Sequence, residues 1–127
     1  MTATLAGVAW TVERVVRVVD GDSLRIVRSR PLELDGRRYR ITDDDPGGVL
    51  VRLAWVDTPE RGDPAWHDAR LDLATWCNNR PAGLHVVVYG SSGWDRLLVD
   101  LRDADGSSAS QWLMADRGWP PYTGGKA

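Results

Sequence analysis

The sequence predicts an α+β domain that is mainly β: a small closed barrel with two short helices packed against it. Three observations carry this. Runs rich in β-branched residues are punctuated by Asp-Gly turns early in the chain. One stretch with helical periodicity enters late, between strands. At 127 residues the chain matches one domain, spanning 1–127, with a core over about 8–119 and an irregular tail over 119–127.

Taken in order, V-A-W-T-V-E-R-V-V-R-V-V-D-G-D-S-L-R-I-V-R gives strands over 8–19 and 23–29, joined at Asp20-Gly21, a pair suited to a hairpin turn. Asp35-Gly36, between L-E-L and R-R-Y-R-I, gives a second short hairpin. T-D-D-D-P-G-G, residues 42–48, is a loop, and a strand over 49–56 follows. Asp63 then caps a helix with Pro64 at its first position, and Trp66, Ala69, Leu73, Trp76 and Cys77 recur on its apolar face. That helix stops at N-N-R-P-A-G. Strands over 84–89 and about 96–101 flank the polar loop G-S-S-G-W-D. D-A-D-G turns the chain into a last helix over about 108–117 that ends at Gly118.

Composition narrows the chemistry. No apolar run approaches the length needed to cross a bilayer, so no membrane partner is expected. The N-terminus lacks the basic start and long apolar stretch of a secretory signal, which points to the cytoplasm. Cys77 has no second cysteine to pair with, and His67 and His85 complete no zinc-type set, so any metal is held by oxygen. D-A-D-G-S-S, residues 103–108, starts like a calcium loop but lacks the later acidic ligand, and reads as a turn. The net charge of -2 argues against capture of nucleic acid by bulk positive charge, although residues 14–40 are rich in arginine and 43–72 are mainly acidic.

One stretch resists a purely structural account. V-R-L-A-W-V-D-T-P-E, residues 51–60, puts Arg52 in a buried strand and then delivers Asp57, Thr58 and Glu60 into one turn. With Asp22 these carboxylates form a candidate site for a hard cation, if the barrel brings together residues 35 positions apart. Arg52 and Arg96 supply the forked guanidiniums that a phosphodiester needs as negative charge develops. Residues 52 and 57 have opposite parity, so the strand must bulge or end before Asp57. Taken singly, Asp20-Gly21 is a turn, Arg52 with Asp57 a structural ion pair, and Glu60 a solvated loop acid. Their joint occurrence sets them apart.

D-G-D-S at 20–23 and R-L-A-W-V-D-T-P-E at 52–60 resemble the two signature stretches of the staphylococcal nuclease (thermonuclease) family. W-D-R-L-L-V at 94–99 and Q-W-L-M-A-D-R-G-W at 111–119 resemble two further ones, so the similarity covers about residues 12–119. The resemblance implies a five-stranded OB-fold barrel with two short helices. It further implies Ca2+ bound by the Asp22 and Asp57 carboxylates and the Thr58 carbonyl, with Asp20 shaping the metal site from nearby. Glu60 would activate or orient water, and Arg52 and Arg96 would hold the scissile phosphate. The implied activity is calcium-dependent hydrolysis of DNA, and of RNA as a second substrate, with little sequence preference and 3′-phosphate products. Single-stranded or frayed nucleic acid is the expected partner, with Trp94 and Tyr122 as further substrate contacts.

Ser23 stands where the family more often has Thr, Trp94 replaces Tyr, and Asp95 replaces Gly beside the proposed phosphate site. The stretch between Ser23 and Arg52 is longer than usual, and the long C-terminal helix of many members is missing. Net acidity, Asp95 and the missing helix favour the first of two rival readings. One is a non-catalytic module that binds nucleic acid or serves in a bacterial or phage assembly, its aromatic C-terminal region around Trp119 and Tyr122 facing a second copy or a protein partner. The other is a pure calcium-binding domain, which leaves the arginines without a role.

Overall fold

A computed structural model describes residues 8–28, 33–34, 37–38, 48–91 and 96–123. Five strands close into a barrel: β1 (Val8–Asp20), β2 (Ser23–Arg28), β5 (Val49–Leu53), β6 (His85–Ser91) and β7 (Leu97–Arg102). β3 (Glu33–Leu34) and β4 (Arg37–Arg38) form a separate two-stranded ladder, the second hairpin that the sequence predicts; its Asp35-Gly36 turn lies outside the described residues. α1 (Trp66–Asn78) and α2 (Ala109–Ala115) are the two helices.

The barrel order is β1-β2-β5-β7-β6, all pairs antiparallel except β5 with β7. This is OB-fold topology, with α1 lying between the third and fourth barrel strands and the third and fifth running parallel. β1 makes closure possible. Its first residues pair with β6 and the remainder with β2, and three register shifts along β1 bend it around the barrel. Alternate side chains Val49, Val51 and Leu53, with Leu24, Ile26, Val86, Val88, Val99 and Leu101, fill the interior. α1 covers this core with Leu73, Trp76 and Cys77. The apolar face predicted for it is buried except at Trp66, which is half-buried. Burial pushes the Cys77 thiol up to about 12, so it stays protonated.

Four local expectations need correction. β5 ends at Leu53, not at residue 56, because the chain bends immediately afterwards. α1 begins at Trp66 with Ala65 as its N-cap, and Pro64 stands outside it. The Asp63 carboxylate instead accepts the Ala65 N–H at 2.8 Å, closing the turn before the helix. The β1–β2 loop consists of Gly21 and Asp22, since Asp20 already pairs with Ser23. Gly21 has no positive φ, so this is not the turn that Asp-Gly pairs favour. Finally, the tail is not irregular throughout, because Pro121 forms an isolated bridge with Val56.

Candidate functional site

The bend after β5 answers the parity problem posed by Arg52 and Asp57. Trp55 takes a left-handed backbone conformation, φ 71°, rare for a bulky residue and worth about 1–3 kcal/mol of strain. Three main-chain hydrogen bonds hold it there: Ala54 N–H to Val99 O at 2.7 Å, Asp57 N–H to Pro120 O at 2.8 Å, and Tyr122 N–H to Trp55 O at 2.6 Å. The turn brings Asp57 back to the side of Arg52. Arg52 closes it, donating from Nη1 to the carbonyls of Leu53 at 2.8 Å and Val56 at 3.4 Å.

Asp22 reaches the same point from the β1–β2 loop. Its Oδ2 accepts the Thr58 N–H at 3.0 Å and lies 3.4 Å from Arg52 Nη2. Asp57 Oδ1 is 3.7 Å from that same Nη2. Two carboxylates from distant parts of the chain therefore share one guanidinium nitrogen. The Asp22 and Arg52 side chains are each 10% exposed and that of Asp57 54%, so the group opens to solvent on the Asp57 side. Asp20, Pro59, Glu60 and Arg96 complete the walls of a cleft of about 160 Å³. Two larger grooves, about 370 and 430 Å³, run along β1 and α1 away from this cluster.

Burial raises the Asp22 carboxyl above the usual range, against the opposing pull of Arg52 and the Thr58 N–H. Four acids against two guanidiniums line the cleft, so with all ionised it carries excess negative charge. The Thr58 hydroxyl is buried beside Asp22 without a well-formed hydrogen bond. Both Asp20 oxygens already accept a hydrogen bond, Oδ1 from Trp66 Nε1 at 2.7 Å and Oδ2 from Ser23 Oγ at 2.8 Å. It ties the loop to α1 and stands beside Asp22. Among the described residues no three His, Cys, Asp or Glu side chains are grouped as a metal cluster. The Asp22 and Asp57 carboxylates and the Thr58 main chain are the oxygen donors an expected hard cation would need, and here both carboxylates lie against Arg52 Nη2, at 3.4 and 3.7 Å.

Gly21 is a packing position that turn chemistry disguised. A Cβ there would lie 2.6 Å from Ala69 Cβ and 2.9 Å from Thr58 Oγ1, so only glycine lets the loop pass between α1 and the Thr58 turn. The sequence also gave no signal for the tail's part in the site. Tyr122 does not line the cleft; its ring lies against Arg52, centroid to Cζ 5.0 Å. Trp94 and Asp95 lie outside the described residues. The expectation of an exposed aromatic C-terminal region needs correction. Trp119 is half-buried, packs on the core and donates its indole N–H to Asp72 at 2.8 Å, and Tyr122 is half-buried on Arg52. Among the described residues the exposed aromatics are Trp55 and Tyr89.

Barrel and cleft together define an OB-fold domain with an acidic, arginine-bearing pocket where the β1–β2 loop meets the bend after β5, an architecture compatible with nucleic-acid binding. No protein-family profile matches the sequence, and no curated protein matches it well enough to serve as a relative. No helix among the described residues is long and apolar enough to cross a membrane.

Proposed function

We propose that the protein is a calcium-dependent nuclease that hydrolyses phosphodiester bonds in single-stranded or frayed DNA, and in RNA, leaving 3′-phosphates. The observation that carries this reading is the meeting of Asp22, Asp57 and Arg52 around one nitrogen, with Glu60 and Arg96 in the same cleft. For a structural ion pair one carboxylate suffices. An excess of acids over guanidiniums in a phosphate site makes chemical sense when a divalent cation completes it.

Asp22, Asp57 and the Thr58 carbonyl would hold the ion, which when bound supplies Lewis-acid stabilisation of phosphoryl oxygens. Arg52 Nη2 and Arg96 neutralise charge that develops as water attacks phosphorus in line with the departing 5′ oxygen. Glu60, exposed at the cleft mouth, takes the proton from that water.

The test is incubation of denatured DNA with the protein in calcium and in chelator, alongside Arg52→Ala and Glu60→Ala variants. Cleavage that needs calcium and falls at least a hundredfold in both variants is the expected result, on the order of a lost transition-state contact. Uncut DNA at any calcium concentration overturns the reading. A second reading rests on Arg52 Nη1, which is committed to the carbonyls of Leu53 and Val56. An arginine held for the bend alone fits a non-catalytic module, and DNA bound but never cut selects it.

A further inference from the structure

Trp55 and Tyr89 are the exposed aromatics among the described residues, at 45% and 37%, and they touch. Their ring centroids are 5.2 Å apart with planes at 61°. Two departures from regular sheet underlie the pair. Trp55 occupies the left-handed position of the bend after β5. Tyr89 is the extra residue of a bulge in β6, where Val88 pairs with Val99 and Gly90 with Leu98. Glycine would take the backbone at 55 without strain, so the bend alone gives no reason for an indole. At 89 the fold uses the tyrosine hydroxyl, which bonds Arg102, but nothing in the barrel uses the ring's outer surface beyond its contact with Trp55. In an edge-to-face pair one ring gives only its edge, which leaves both its faces clear of the other.

The pair lies near Arg52, since the ladder sets Arg52 against Leu98 and Leu98 against Gly90, next to Tyr89. Trp55 stands two residues before Asp57, and its carbonyl accepts the N–H of Tyr122, whose ring lies on Arg52. An open aromatic surface next to guanidiniums has the two chemistries of a polynucleotide, a flat base beside an anionic phosphate.

Resting on the nuclease reading above, we infer that Trp55 and Tyr89 form a stacking subsite for an unpaired base of the strand whose phosphate lies at Arg52. This subsite favours single strands, because a base held in a duplex cannot offer its face to the indole.

The inference is tested with labelled oligothymidylate carrying phosphorothioate linkages, which are cut slowly, in calcium, read by fluorescence anisotropy beside a duplex of equal length. Trp55→Gly and Tyr89→Ser should each weaken single-strand binding by about 5- to 150-fold, the range of one lost base stack. Trp55→Phe should retain most of the binding, and duplex binding should be unchanged in all three. Trp55→Gly suits its backbone, and Tyr89→Ser provides an independent probe should either variant misfold. Wild type that binds while both variants bind equally well overturns the subsite and leaves the nuclease reading intact. So does a variant that changes only self-association in sedimentation, which would make the pair a protein interface. Wild type that binds no strand overturns both.

Discussion

Arg52 and Gly21 show how much of the candidate site rests on single residues. Arg52 faces away from the barrel interior, where Val51 and Leu53 point, and is buried because the bend and Tyr122 close over it. A lysine there keeps the charge but cannot reach two carbonyls with one nitrogen while offering another to Asp22 and Asp57. Arg52→Lys should therefore lower stability by about 1–3 kcal/mol in thermal unfolding, besides abolishing any cleavage. Gly21→Ala should push α1 and Thr58 apart, destabilising by about 1–3 kcal/mol, and Ala69→Gly in the same chain should restore part of the loss. Recovery of melting temperature in the double variant checks the contact. At this scale the sequence was informative where chemistry forces residue type: the acids and arginines of 52–60 are conspicuous in an apolar run. It was uninformative about Gly21, because a glycine needed for close approach is spelled like one needed for a turn.

Among the elements, the β7–α2 connection shows electrostatics holding a turn. Asp103 Oδ1 accepts the N–H groups of Asp105 and Ser107 at 3.0 and 2.9 Å, and Oδ2 pairs with Arg80 Nε at 2.8 Å. The Arg80 bond, with those N–H groups, holds the Asp103 carboxyl below the usual carboxylate value of 3.8. A depressed value means the stabilisation is present above the unfolded group's titration and is lost as pH falls through the folded one. Asp103→Asn should thus cost about 1 kcal/mol at neutral pH, and its difference from wild type should shrink as pH drops below 3.8 in parallel thermal melts. Ser108 caps α2 by accepting the Gln111 N–H at 3.4 Å and donates to the buried Asp100 at 2.6 Å. Ser108→Ala removes both and should lower stability by about 1–2 kcal/mol in denaturant titration. The elements themselves were largely legible, since β-branched runs and the apolar face of α1 have distinct periods. Their ends were not. Where β5 stops is decided by the bend at Trp55, whose partners at 99, 120 and 122 lie far along the chain, and where α1 starts by the local Asp63 turn, whose residues read equally well as a helix cap.

For the molecule as a whole, closure of the barrel brings Asp22 and Asp57 together, and the segment 120–122 locks them. Alternation and hairpin order pointed to a barrel, but no pattern in W-P-P-Y revealed that its main chain bonds to residues 55 and 57. Such pairing leaves no periodic trace in two or three residues. A chain truncated after Trp119 keeps every described strand and helix, so it should fold with the wild-type far-ultraviolet circular dichroism spectrum. It should nonetheless lose much of any calcium or oligonucleotide affinity, as isothermal titration would report, because Arg52 loses its aromatic cover and the bend two of its three fastenings.

The position of that lock has a consequence for biosynthesis. Residues 120–122 follow every described barrel strand, so the strands of the cylinder are all synthesised before the clasp at the cleft. Closing the cylinder is thus separable from setting the bend beside Asp57, which waits for Pro120 and Tyr122.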